Sequence, residues 1–153
     1  KVAMIRIIIP DVSLTSDIIV GFPGETEKDF QDTLDVVEYS KFDLVYMFKF
    51  SPRPGTLAYD MKDEFISNDV INDRFLRLKD LQTDISEERY KRFLNTEQKL
   101  LIEKTSKKNS EIFTGRIDGG QLTHISKDNI SVGDIVNVRI VDTTPFYLKA
   151  ELL

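Results

Sequence analysis

The apolar pattern of this chain changes period once, from helical to alternating, and the change limits it to an α/β portion followed by an all-β portion. Ile71, Phe75, Leu78, Leu81 and Ile85 recur every three or four residues, which predicts a long helix from about Asn68 to about Phe93 with Asn68 or Asp69 as its cap. Beyond it the apolar residues alternate. Lys99 to Glu103, Ile112 to Ile117, Gln121 to Ile125, Ile135 to Val141 and Tyr147 to Leu152 read as short strands. Turn residues separate them at Lys107 to Ser110, Gly119-Gly120, Lys127 to Asn129 and Thr144-Pro145. Five short strands in so little chain predict a small closed barrel or sandwich, a size at which oligonucleotide-binding barrels occur.

Ahead of the long helix lies a strand, helix, strand unit. Asp17 to Phe22 is apolar and mostly β-branched, closed by Gly and Pro, and Leu44 to Phe50 is a second strand stopped at Pro52 and Pro54. Between them Thr26 with Asp29 forms a capping-box pattern, and Phe30, Leu34 and Val37 fall on one helical face. Short connections make the two strands parallel. The loops Gly21-Phe22-Pro23-Gly24 and Ser51-Pro52-Arg53-Pro54-Gly55-Thr56 then share the carboxyl end of one sheet, where ligands bind in α/β folds. Neither loop is a Walker or Rossmann fingerprint, since no Gly-Lys-Ser/Thr follows and the third glycine position holds Thr26. One such unit is too little to cover a parallel sheet, so the front is expected to belong to a larger domain, or to self-associate through exposed sheet edges.

Composition narrows the chemistry. There is no cysteine and one histidine, His124, so the chain itself supplies no thiolate-ligated cluster and no disulfide. His124, without a metal-binding companion nearby, is expected to be an ordinary strand-face residue. The longest apolar run near the start, Ile7-Ile8-Ile9, is far short of a membrane span, and the expected location is the cytosol, with no membrane partner. The net charge is −5, and it sits in the front: up to Thr96 there are 13 Lys and Arg against 18 Asp and Glu, and from Glu97 onward 8 against 8. The tail therefore repels a polyanion less.

The run from Asp17 to Phe30, then Ser51 to Thr56, then Ser106-Lys107-Lys108 and Gly115-Arg116, resembles the carboxyl-terminal half of the MiaB-type tRNA methylthiotransferases, a branch of the radical S-adenosylmethionine enzymes. The resemblance covers essentially the whole chain. It implies a partial TIM-like parallel barrel over residues 1–96 and, over 97–153, a five-stranded antiparallel TRAM barrel resembling an oligonucleotide-binding fold. It implies tRNA as partner and, as activity, methylthiolation at C2 of an N6-isopentenylated adenosine beside the anticodon. The cofactors implied for the full-length parent are S-adenosylmethionine and two 4Fe-4S clusters, whose cysteine ligands would lie in a missing amino-terminal portion. The chain alone is then expected to be inactive.

By the same resemblance, Val20, Gly21 and Phe22 form a strand wall near the adenine of the cofactor, Glu25 stands behind it, and Ser51, Pro52 and Arg53 lie at the cofactor's rim. Read from the residues alone, Val20 is equally a core residue, Glu25 equally a partner of its helix start, and Arg53 either a solvated cation or a phosphate ligand. In the tail, Lys104, Lys107, Lys108, Arg116, Arg139 and Lys149 are candidates for phosphate contacts, and Phe113, Phe146 and Tyr147 for base stacking. Two other readings stay open. One is a stand-alone RNA-binding module on a non-catalytic α/β scaffold, and the other a metabolic α/β enzyme with a different cofactor.

Overall fold

The computed structural model describes residues 1–107 and 109–153, and the chain divides into two compact units. The first holds 1–8 and 14–85, the second 9–13 and 86–153. Helix α1 (Val2–Ile8) opens the chain and was not anticipated, since its apolar residues follow one another without helical spacing. What ties it down is Arg6, whose guanidinium donates to the carbonyls of Ser40 (2.6 Å) and Lys41 (2.7 Å), the groups left over at the end of the next helix.

Strands β1 (Thr15–Val20) and β2 (Leu44–Lys49) pair in parallel, with Ile19 opposite Phe48, and α2 (Glu27–Ser40) connects them. The capping box is present as predicted: the Asp29 N–H donates to Thr26 Oγ1 at 3.2 Å, and the Asp29 carboxylate accepts from the Thr26 N–H at 2.9 Å. The Thr26 hydroxyl also donates to the Asp29 carboxylate at 2.6 Å, and this bond together with that from the Thr26 N–H holds the Asp29 carboxyl below its ordinary pKa. Thr26→Ala is expected to cost this unit about 1 kcal/mol. A lowered urea midpoint with unchanged m-value would register the loss.

After the Pro-rich turn a short helix α3 (Leu57–Asp60), also unanticipated, is capped by Thr56 Oγ1. Then α4 runs from Asn68 to Tyr90, and a 3-10 turn carries the chain to Phe93. The α4 residues up to Ile85 belong to the first unit and those from Ser86 to the second. The predicted cap residues lie inside the helix, because its first ladder bond joins the Ile71 N–H to the Ser67 carbonyl. In the first unit α2 and α4 cover one face of the sheet, where Val20, Phe30, Val37, Leu78 and Ile85 form the core.

Five strands of the second unit, β3 (Glu97–Thr105), β4 (Ile112–Ile117), β5 (Leu122–Ser126), β6 (Ile135–Thr143) and β7 (Leu148–Leu152), close into a barrel in the order β3-β4-β5-β7-β6. The expectation of an antiparallel barrel needs one correction. β5 and β7 run parallel, because a closed ring with an odd number of strands cannot alternate direction all the way round. The barrel is filled by alternate residues, among them Leu100, Ile102, Phe113, Ile117, Ile125, Val138, Ile140 and Leu148, as strand periodicity requires. The front shows a two-stranded sheet among the described residues, and not the TIM-like barrel implied by the resemblance.

Candidate cofactor cleft and nucleic-acid surface

Parallel pairing brings the two loops together, because both strands end on the same side. Gly21 leaves β1 at φ +80, a left-handed conformation that favours glycine, and a Cβ there would stand 2.4 Å from Ile71 Cγ1. The Gly21 N–H donates to Glu25 Oε2 at 2.9 Å, and the Glu25 N–H closes the turn on the Phe22 carbonyl. Across the gap the Phe50 N–H donates to the Val20 carbonyl at 2.8 Å. Phe22, Phe50 and Phe65 meet edge to face, with centroids 5.4 and 5.9 Å apart.

Beside these rings opens a cleft of about 610 Å³ lined by Ile19, Phe22, Phe48, Lys49, Phe50, Ser51, Arg53, Thr56 and Ala58. Its walls are mainly apolar, and Ser51, Arg53 and Thr56 bring polar groups to it, a composition suited to a flat heteroaromatic ligand with a polar tail. Thr56 Oγ1 donates to the Arg53 carbonyl at 2.9 Å, which fixes the loop carrying Arg53.

Of the residues singled out in the sequence, Phe22, Ser51 and Arg53 line this cleft together. Val20 does not, since its side chain is fully buried in the helix-covered core and its neighbour Ile19 faces the cleft. Pro52 is exposed beside the cleft. Glu25 is turned inward, where Arg74 of α4 donates to its carboxylate at 2.8 Å and to its carbonyl at 3.0 Å, while Gly21 holds the same oxygen from the other side. Arg74 is itself buried and also reaches Glu27, so a single guanidinium ties the helix start and the Gly21 turn to α4.

Sequence reasoning passed over Ile19, Phe48, Phe50 and Arg74. The first three follow from the register of the strand pair and its continuation. Arg74 carried a signal too: it lies three residues after Ile71 and four before Leu78, inside the apolar stripe of α4, where a charge needs a buried partner.

On the barrel, Arg116 pairs with Glu103 (3.4 Å), Arg139 with Glu97 (3.0 Å) and Lys149 with Asp142 (2.6 Å). All three pairs are at the surface and contribute little to stability, so their cations remain available to a polyanion. Lys104 and Lys107 are exposed, and Lys108 lies outside the described residues. The stacking candidates divide. Phe113 is buried in the barrel and withdrawn from any base, Phe146 is 64% exposed, and Tyr147 stacks on His124 with centroids 4.5 Å apart and planes 20° from parallel.

His124 is held below the ordinary imidazole pKa by partial burial. The folded barrel therefore takes up this proton less readily than the unfolded chain does. The histidine's contribution is fully present above the ordinary value of about 6.5 and is lost as pH falls from there through the folded value. Barrel unfolding followed at about pH 7.5 and about pH 5 is expected to show a lower midpoint in acid, and His124→Gln to flatten part of that slope. An unchanged slope in the variant would refute the assignment.

The TRAM domain family model matches residues 91–153. Over its whole length the chain is similar to proteins named tRNA-2-methylthio-N(6)-dimethylallyladenosine synthase. The one from Acetivibrio thermocellus is 44% identical over 152 residues, 99% of this chain and 32% of the relative. That from Corynebacterium jeikeium is 44% identical over 94% of this chain and 28% of the relative, and that from Finegoldia magna 42% identical over 100% and 33%. The chain thus spans about a third of the length of the curated relatives it matches. Residues 91–153 match the TRAM domain family, and the chain as a whole is similar to about a third of the length of the proteins named tRNA-2-methylthio-N(6)-dimethylallyladenosine synthase.

Proposed function

We propose that this chain works as part of a radical S-adenosylmethionine methylthiotransferase that modifies C2 of an N6-isopentenylated adenosine beside the anticodon of tRNA. Residues 1–96 contribute to the catalytic α/β domain and residues 97–153 bind the tRNA. The observation that carries the reading is the shared cleft: Phe22 from one strand end and Ser51 and Arg53 from the next line the same space, in a chain similar to the synthases from end to end.

The cleft suits the nucleoside part of S-adenosylmethionine. Ile19, Phe22, Phe48 and Phe50 offer apolar surface to a purine, and Ser51, Arg53 and Thr56 offer hydrogen-bonding groups near it. Bound there, S-adenosylmethionine would supply the radical chemistry of the reaction, and Phe22, Ser51 and Arg53 are among the residues that would hold it. The chain's own task is to orient that cofactor and exclude water from it. The Glu25 to Arg74 clamp sets where the Gly21 turn stands, and so where Phe22 meets the ligand. With no cysteine in the sequence, the thiolates of two 4Fe-4S clusters would come from residues outside this chain.

The second face of the β1–β2 sheet supports the same reading. Ile19, Tyr46 and Phe48 stand about half exposed there, on a parallel pair of the kind ordinarily covered on both faces. In the synthase further parallel strands extend this sheet into a TIM-like barrel. In the isolated chain the same surface and edges favour pairing with a second copy, which sedimentation would detect. No helix among the described residues is long and apolar enough to cross a membrane, and a cytosolic location is part of the proposal.

The test is anaerobic reconstitution with iron and sulfide. This chain is expected to hold no cysteine-ligated cluster and to leave tRNA unmodified, while a full-length synthase carrying this sequence holds clusters and thiomethylates it. A full-length protein without cluster-binding cysteines would overturn the enzyme reading.

A further inference from the structure

The barrel register draws four residues into one line, the phosphate candidates Lys104 and Lys149 with buried Thr114 and half-buried His124 between them. Lys104 of β3 is opposite Thr114 of β4, Thr114 opposite His124 of β5, and His124 opposite Lys149 of β7. Register partners on adjacent strands send their side chains to the same face, and each step across the barrel is about 4.8 Å. The face is the outer one. The flanking residues Phe113, Ile125, Leu148 and Ala150 point into the core, while Lys104 and Lys149 are exposed.

At the middle of this row stands the stack of His124 on Tyr147, the residue that leads into β7, and it is this ring contact that sets Tyr147 beside the outer face. Phe146 follows the turn into β7, and at 64% exposure its ring stays largely in water. A half-buried aromatic pair between two lysines, with a third ring exposed beside it, adds little to the barrel's own core. It presents flat apolar surface with cations on two sides. Asp142 is the acid held by Lys149, through a surface ion pair that a phosphate can replace.

The geometry points to the outer surface of β5 and β7 as a stacking platform for an unpaired RNA base, with His124 and Tyr147 contacting the base and Lys104 and Lys149 the flanking phosphates. The inference rests on the reading of the barrel as the tRNA-binding part, and it names the residues and the single-stranded character of the ligand. A duplex keeps its base faces inside the stack and offers none to such a platform. The platform therefore discriminates in favour of a loop or an end.

The probe is a labelled single-stranded RNA of about ten nucleotides, with a duplex of equal length as control, titrated with this chain at several salt concentrations. The chain is expected to prefer the single strand. Tyr147→Ala should weaken binding about 5- to 150-fold without changing the salt slope, because the lost contact is uncharged. Tyr147→Phe should retain affinity. Lys149→Gln should lower the salt slope by about 0.7, as for one phosphate contact. If Tyr147→Ala fails to fold, His124→Ala and Phe146→Ala carry the same test, the latter at an exposed position. Binding that survives loss of these rings in a folded barrel would overturn the platform and leave the tRNA reading standing. Absence of binding to either RNA at low salt would instead remove the tRNA reading, and the platform with it.

Discussion

Gly115→Ala is expected to abolish the folded barrel. Gly115 sits in β4 opposite Ile102, next to the irregularity between Ile102 and Lys104 in β3. A Cβ built on it would lie 2.0 Å from the Leu101 carbonyl oxygen, 2.9 Å from that carbonyl carbon and 3.0 Å from Leu100 Cδ1. The first two are backbone atoms of a paired strand, so no rotamer change relieves the contact. β3 can retreat only by giving up its ladder to β4 or to β6, and in a closed ring every strand has two such neighbours. Overpacking a core typically costs 1 to 3 kcal/mol, and a clash against fixed backbone should reach about 3 kcal/mol or more. The measurement is amide hydrogen exchange resolved along the chain, where barrel amides should lose protection and those of α2 should keep it. Native protection in β3 and β4 of the variant would refute the argument, and so would a barrel unfolding midpoint equal to that of the parent sequence.

The second large effect is expected at Arg74. Replacing it with Met keeps the length and apolar stem of the side chain and removes the charge. The Glu25 carboxylate, with a side chain 12% exposed, would then keep the Gly21 N–H and lose its cation. Breaking a buried ion pair from one side costs about 3 to 5 kcal/mol, most of it the penalty of the abandoned charge. Arg74→Lys should recover only part of this. One ammonium cannot serve the carboxylate and the carbonyl of Glu25 together with Glu27 in the forked geometry that the guanidinium uses. The diagnostic is the double variant Arg74→Met with Glu25→Gln, which should be less destabilised than the sum of the two single changes, because no charge is left unpaired. Additive losses in urea unfolding would show that the clamp is not a unit.

Much of this was legible before any coordinates. Thr26 and Asp29 announce a helix start because the capping box is a local bargain between one side chain and the backbone three residues on. The strand from Ile112 to Ile117 was predicted to the residue, since alternation in a half-buried strand reports the pleat directly. The nearness of Gly21 to Ser51 followed from the handedness and direction of a strand, helix, strand unit. The curled end at Val2–Ile8 was not legible, because its helix depends on Arg6 reaching carbonyls 34 and 35 residues away.

The sequence by itself determined the strands and the two longer helices, that β1 and β2 run in parallel, and that their loops share one end, because period, caps and connection length act over a few residues. Only the tertiary structure decided the facing of side chains in segments apolar on both sides. In Ile18-Ile19-Val20 each residue suits either face, and it is the packing of α2 and α4 that sends Val20 to the core and leaves Ile19 to the cleft. The same holds for Phe113, withdrawn into the barrel, and for the stack of His124 on Tyr147, which exists because ring closure sets β7 parallel to β5. Contacts between residues far apart in sequence depend on how all the elements pack at once, and no local pattern encodes them.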